Sequence, residues 1–200
     1  MKMSVLDRVL LLLTGLLAAW QVAVGINDAE AFPILVYSIS FGVLLVASLL
    51  LIILGFEVLD APLVVIVSTI IPLSLSLGLI WEHLAAYRIP YLIFTLLGFL
   101  FILITRLIPM RSKLPVIAIA TVHGIAGMVI FLLPFLLAFS GRQPLSFCLV
   151  GIGGALIGLA GLLLSFLKTG HAILTRRTIL RILPAILLAM TIAFVLGFHI

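Results

Sequence analysis

The sequence predicts an all-α protein, a polytopic transmembrane helical bundle of about seven spans with its N-terminus in and its C-terminus out. Three observations carry this. Hydrophobic residues make up 66% of the 200, charged residues only 8%, and the mean hydropathy is +1.54. A soluble domain carries about 25% charged residues, so a chain this apolar could not cover its own surface with polar groups. The polar residues also cluster between apolar runs long enough to cross about 30 Å of hydrocarbon. Finally, those runs are continuously apolar, whereas a barrel needs segments of about ten residues with alternating character. The 200 residues form one bundle domain.

Apolar windows place helices at 9–26, 33–55, 62–81, 89–108, 115–139, 145–167 and 179–198. The first run follows a basic start, Lys2 and Arg8. It is longer than the apolar region of a signal peptide and no small-x-small cleavage site follows, so it reads as a retained helix. Pro33, Pro62, Pro90 and Pro115 fall at first turns, where a missing N–H costs little. Pro72, Pro134 and Pro184 fall inside spans, where kinks are expected.

Orientation follows from the basic residues. With the N-terminus inside, that side holds Lys2, Arg8, Arg106, Arg111, Lys113, Lys168, Arg176, Arg177 and Arg181, against Arg88 and Arg142 outside. Nine against two is the positive-inside bias of short loops. Trp20, Tyr37, Trp81, Tyr87 and Tyr91 map to the outer half, as an interfacial belt there would. The expected location is a prokaryotic inner (cytoplasmic) membrane. A weak internal repeat relates Tyr37–Pro62 and helix 3 to Tyr91–Pro115 and helix 5, with helices 6 and 7 as a third hairpin.

Lipid gives no hydrophobic drive for helix association, so small residues mark close packing. In helix 6, Gly151, Gly154, Gly158, Gly161 and Ser165 recur at spacings of 3, 4, 3 and 4, one continuous seam. Helix 1 carries a shorter version in Gly15, Ala18, Val22 and Gly25, and helix 5 has Ala120, Gly124 and Gly127. Such a seam suits packing inside this bundle or docking of another subunit.

His123 is the candidate cofactor-binding residue. It lies nine residues into helix 5, roughly 13 Å deep at 1.5 Å per residue, and an ionisable group at that depth is a functional hypothesis. Haem ligation, proton handling and a hydrogen bond to quinone are its candidate roles; a neutral imidazole bonded to a neighbouring helix is the structural alternative. Ser68, Pro72, Ser76 and His83 follow one face of helix 3, broadened by Thr69 and Ser74, and are the candidate cavity lining. Hydroxyls in such helices also bond their own i−4 carbonyls. Glu82, His83, Arg88 and His199 gather at the outer interface, with Asp28 and Glu30 on the same side. Their spacing is unspecific for haem or metal. Glu57 and Asp60 join the basic residues and His171 inside, where anionic lipid of the inner leaflet is the expected partner.

Absences narrow the function. No lysine follows Lys168, which excludes a retinal Schiff base in the last helix, and no carboxylate lies mid-span, which disfavours an ion-coupled pump. The lone cysteine, Cys148, permits no intrachain disulfide. No phosphate loop, metal spacing or Ser–His protease motif appears, and nucleic acid is not an expected partner. The first functional expectation is a non-enzymatic bundle subunit or scaffold packing against lipid and other membrane subunits, or itself. A small transporter or channel for a neutral or weakly polar solute, lined by helix 3, comes second. A redox subunit holding haem or quinone near His123 is third, and a lipid-acting membrane enzyme fourth.

Overall fold

The computed structural model describes residues 3–26, 30–108, 114–169 and 174–199, with backbone alone at 60 and 165–169. Lys2, Asp28, Arg111, Lys113 and His171 lie outside the described residues, as do the side chains of Asp60, Ser165 and Lys168. Among the described residues the fold is all-helical, with seven helices long and apolar enough to cross a membrane, as a multi-pass integral membrane protein requires. They are α1 (Val5–Val24), α2 (Ala31–Leu54), α3 (Pro62–His83), α4 (Arg88–Leu107), α5 (Leu114–Phe139), α6 (Cys148–Thr169) and α7 (Arg176–His199). Short 3-10 turns at Phe56–Asp60, Ala85–Tyr87 and Leu145–Phe147 join or precede them.

Local chemistry sets the boundaries. α1 begins four residues before the apolar run, because Ser4 and Asp7 form a capping box: Asp7 N–H donates to Ser4 Oγ at 3.1 Å and Ser4 N–H to the Asp7 carboxylate at 2.8 Å. α2 ends at Gly55, whose φ of 76° suits the residue without a Cβ. Pro33, Pro62, Pro90 and Pro115 all lie within the first three residues of their helices, while Pro72, Pro134 and Pro184 sit inside α3, α5 and α7.

Six helices close a circuit in which each packs on the next: α1, α2, α3, α5, α6, α7 and back to α1. α4 stands outside this ring, against α3 and α5. Because consecutive spans alternate in direction, one end of the bundle holds Met3 and the start of α1, and the other holds His199 and the end of α7. The ring encloses side chains rather than space: Phe41, Ile71, Leu75, Met190 and Phe194 meet inside it. The gaps among them and Ser40 and Leu44 admit no water molecule. α3 is the most enclosed helix, every residue from Ile71 to Ile80 being buried. Large apolar side chains such as Leu96, Leu97 and Leu136 cover the outside, the exposure expected toward lipid.

The ring explains why the three predicted hairpins are not equivalent. α2–α3 and α6–α7 are both ring pairs, but α4–α5 joins an outside helix to a ring helix. Tyr37 differs from a belt residue: it is buried, 2% exposed, whereas Trp20 and Tyr87 are exposed at that end.

Candidate functional site

The polar residues converge at the His199 end. α2 and α3 meet where Tyr37 lies flat on Gly78; a Cβ at Gly78 would fall 2.4 Å from a Tyr37 ring carbon, so only glycine allows this approach. The phenol thereby reaches one turn further along α3 and donates to Glu82 Oε2 at 3.2 Å. His83 Nε2 stands 3.9 Å from the same carboxylate oxygen, and its ring meets Phe147 edge-on at 5.4 Å. Phe147 belongs to the turn that leads into α6 and also packs on Phe198, which in turn contacts Tyr37. One aromatic chain thus ties α2, α3, α6 and α7 around the Glu82–His83 pair.

Arg88, at the start of α4, fastens a second side. Its Nε donates to the Trp81 carbonyl at 2.6 Å and its Nη2 to Glu30 Oε1 at 3.1 Å, while the guanidinium lies 5.5 Å from the Trp81 ring centre. Trp81 is backed by Phe32 at 4.1 Å. A third fastening joins α1 to α7. Gln21 donates through Nε2 to the Gly25 carbonyl at 2.7 Å, which leaves its Oε1 facing His199 Nε2 at 3.0 Å. That oxygen can only accept, so the imidazole carries its proton on Nε2. Three buried polar atoms near this end make no hydrogen bond within the protein: His83 Nε2, Tyr91 Oη and Ser146 Oγ. Buried polar groups are ordinarily partnered, so these are the atoms a bound water or polar ligand would meet.

Chemically, the cluster can hold a carboxylate and an imidazole in a largely enclosed setting. No hydroxyl is hydrogen-bonded to His83 Nε2 among the described residues. Nor do three or more His, Cys, Asp or Glu side chains converge on a metal-sized site among them.

The other predicted residues fall elsewhere. His123 is half-buried on α5 with Nδ1 buried and unpartnered. The two further described histidines, His83 and His199, both lie at the His199 end, far from its depth. On α3, Pro72 and Ser76 are buried and Ser68 half-buried. Ser76 Oγ donates to the Pro72 carbonyl at 2.7 Å and Ser68 Oγ to Val65 at 3.1 Å, so both turn back on their own helix. Ser74 Oγ also reaches a carbonyl of its own helix, Ile70 at 2.6 Å, and in addition meets Ser40 Oγ of α2 at 2.6 Å, while Ser40 Oγ donates to the Ile71 carbonyl at 2.7 Å.

The α6 seam divides. Cβ atoms at Gly151 and Gly154 would meet the α5 backbone at Phe131 O, 2.8 Å, and Ile130 C, 3.0 Å, so these glycines let α5 and α6 touch. Gly158 and Gly161 continue the line with nothing within 4 Å. Gly153, off the seam, receives Phe194 of α7 at 2.7 Å, and Gly197 of α7 meets Val150 N at 2.7 Å. Gly15 of α1 faces Ser48 Oγ at 2.9 Å, while Gly124 and Gly127 of α5 face nothing within 4 Å.

Sequence reasoning missed the Tyr37–Glu82 and Gln21–His199 contacts. One signal was present: Gly78 is the glycine of α3, four residues before Glu82, and marks where another helix comes close. No protein-family model, curated protein or solved structure matches the chain.

Proposed function

We propose that the protein is a non-enzymatic membrane subunit or scaffold that packs against other membrane proteins and lipid. The observation that carries this is the divided seam of α6. Gly151 and Gly154 are consumed by α5, yet the same small-residue line runs on through Gly158 and Gly161, both exposed and without a neighbour. In lipid, small residues are where helix backbones approach, so an unused continuation is a face for another helix. Its setting is a prokaryotic inner membrane, with the Met3 end toward the cytoplasm and anionic lipid.

The transport alternative has less support, because the α3 hydroxyls close on carbonyls and on Ser40 rather than facing an open path. The redox alternative has one observation in its favour, the unpartnered Nδ1 of His123.

Native mass spectrometry of the tagged protein, extracted from its own membrane in mild detergent, tests the proposal. Stoichiometric extra subunits that dissociate on Gly158→Leu are expected. A chain that emerges alone or only as copies of itself overturns it, and an added mass of haem or quinone would move the function to His123.

A further inference from the structure

Five side chains close a loop at the His199 end. Tyr37 meets Phe198 at 4.8 Å, Phe198 meets Phe147 at 6.3 Å, and Phe147 meets His83 at 5.4 Å between ring centres. His83 Nε2 then stands 3.9 Å from Glu82 Oε2, which accepts from Tyr37 at 3.2 Å. The loop runs through α2, α7, the turn before α6 and α3, and its two links at Glu82 are polar.

Those two links are unequal. Neighbours in sequence on a helix ordinarily point apart, yet Tyr37 and Phe147 flank Glu82 and His83 so that the two face each other. The Tyr37 link is a hydrogen bond, whereas 3.9 Å is too long for one. The His83 side chain is 8% exposed, and its Nε2 is buried without a hydrogen bond. Buried polar atoms are ordinarily partnered. The Glu82 side chain is 29% exposed, so protons from solution reach the pair from that end.

One proton changes which donors the carboxylate serves. A protonated imidazole donates from both nitrogens. Nε2–H then faces the oxygen 3.9 Å away, and a bond between two charged groups is stronger than the phenol's. With the proton on the carboxylate instead, Tyr37 faces a neutral acid. Two groups this close titrate as one unit, and either placing of the proton weakens the Tyr37 link.

Neighbouring charges are committed elsewhere. Arg88 of α4 holds Glu30 at 3.1 Å and the Trp81 carbonyl at 2.6 Å, and His199 of α7 faces Gln21 at 3.0 Å. The Tyr91 hydroxyl of α4 is buried without a partner, Arg142 after α5 is exposed, and Cys148 opens α6 as a free thiol.

We propose that Glu82 and His83 take up one proton between them and thereby release Tyr37, which makes the α2–α3 link at the His199 end a proton-sensitive latch. The latch does not depend on the subunit reading, since it lies within one chain and at the other end from Gly158 and Gly161.

The test uses the full chain in detergent, with carbon-13 at the ζ position of its three tyrosines, where the resonance follows the bonding of the phenol. It is titrated from about pH 8 to about pH 4, which spans the ordinary range of histidine and glutamate. The Tyr37 resonance, identified by its loss in Tyr37→Phe, moves in the wild type, while that of exposed Tyr87 stays fixed. Glu82→Gln abolishes the movement. His83→Gln displaces its midpoint by about one pH unit or more, as removing one member of a coupled pair does. A Tyr37 resonance fixed across the range in the wild type overturns the proposal. So does a movement that survives Glu82→Gln, or an unchanged midpoint in His83→Gln, which would mean a carboxylate titrating alone. Where His83→Gln does not fold, the ring carbons of His83 in histidine-labelled wild type decide. A midpoint shared with Tyr37 supports the pair, and a different one overturns it.

Discussion

The two ends of the bundle are held together differently. Toward His199, most of the close-packed helix glycines are found: Gly78, Gly151, Gly153, Gly154 and Gly197 each have another helix's atom within 3.0 Å of where a Cβ would stand, while Gly42 meets nothing and Gly15 is the one such contact nearer Met3. Cross-helix polar bonds accompany them, from Ser40–Ser74 near the middle to Tyr37–Glu82, Arg88–Glu30 and Gln21–His199. Toward Met3, Leu11, Leu51, Phe56 and Leu180 form an apolar cluster, but Gly124, Gly158 and Gly161 touch nothing. Since lipid competes on equal terms for apolar surface, the His199 half is specified by its own contacts. The Met3 half keeps faces for lipid and partners.

Substitutions can break this contrast. Gly197→Ala should do most damage, because its Cβ would meet the backbone at Val150 N, 2.7 Å, and Leu149 C, 3.2 Å, which cannot turn aside as a side chain can. A loss of about 1–3 kcal/mol, the usual cost of overpacking, is expected as a lowered unfolding midpoint in detergent; an unchanged midpoint would mean that α6 and α7 are not in close contact. Ser40→Ala comes next. It removes a hydroxyl that holds both the Ile71 carbonyl and Ser74, and should cost about 1 kcal/mol, within the range of interhelical hydrogen bonds. Ser76→Ala, whose hydroxyl donates to the Pro72 carbonyl of its own helix, should cost less than Ser40→Ala, and equal losses at the two serines would refute the distinction.

Tyr37→Phe should cost about 0.6 kcal/mol, an average interhelical bond, by removing the donor to Glu82 while keeping the ring on Gly78. A double-mutant cycle with Glu82→Gln isolates it: no coupling between the two sites would show that the bond contributes nothing. The mildest change belongs to the other end. Gly158→Ala meets no atom and should leave stability unchanged or raise it by up to about 1 kcal/mol, the helix preference of alanine. A large loss for the isolated chain would place an intramolecular neighbour on that face.

Much of this was legible from hydropathy. Each span appears near its predicted position, since crossing length and proline placement are written locally. Boundaries moved where finer chemistry acts: Ser4 and Asp7 draw α1 outward, and the 3-10 turn at Leu145–Phe147 delays α6 to Cys148. Pairing was not legible, because apolar faces look alike until a neighbour is known. The small-residue line on α6 gave no hint of where α5 would leave it. Tyr37 had the composition of an interface residue, and only Gly78 opposite it decides that the ring is buried.

The position of α4 has a consequence for the assembly of the chain. α1–α2–α3 and α5–α6–α7 are successive three-helix units, and the ring closes through two like junctions, α3 with α5 and α7 with α1. A unit of three spans starts and finishes on opposite sides of the membrane, so a second one joined directly would be inverted. One added span between them keeps the two units parallel, and α4, outside the ring, is that span. It is thus a reversing link between halves, so deleting it would leave each half its helices but turn one upside down.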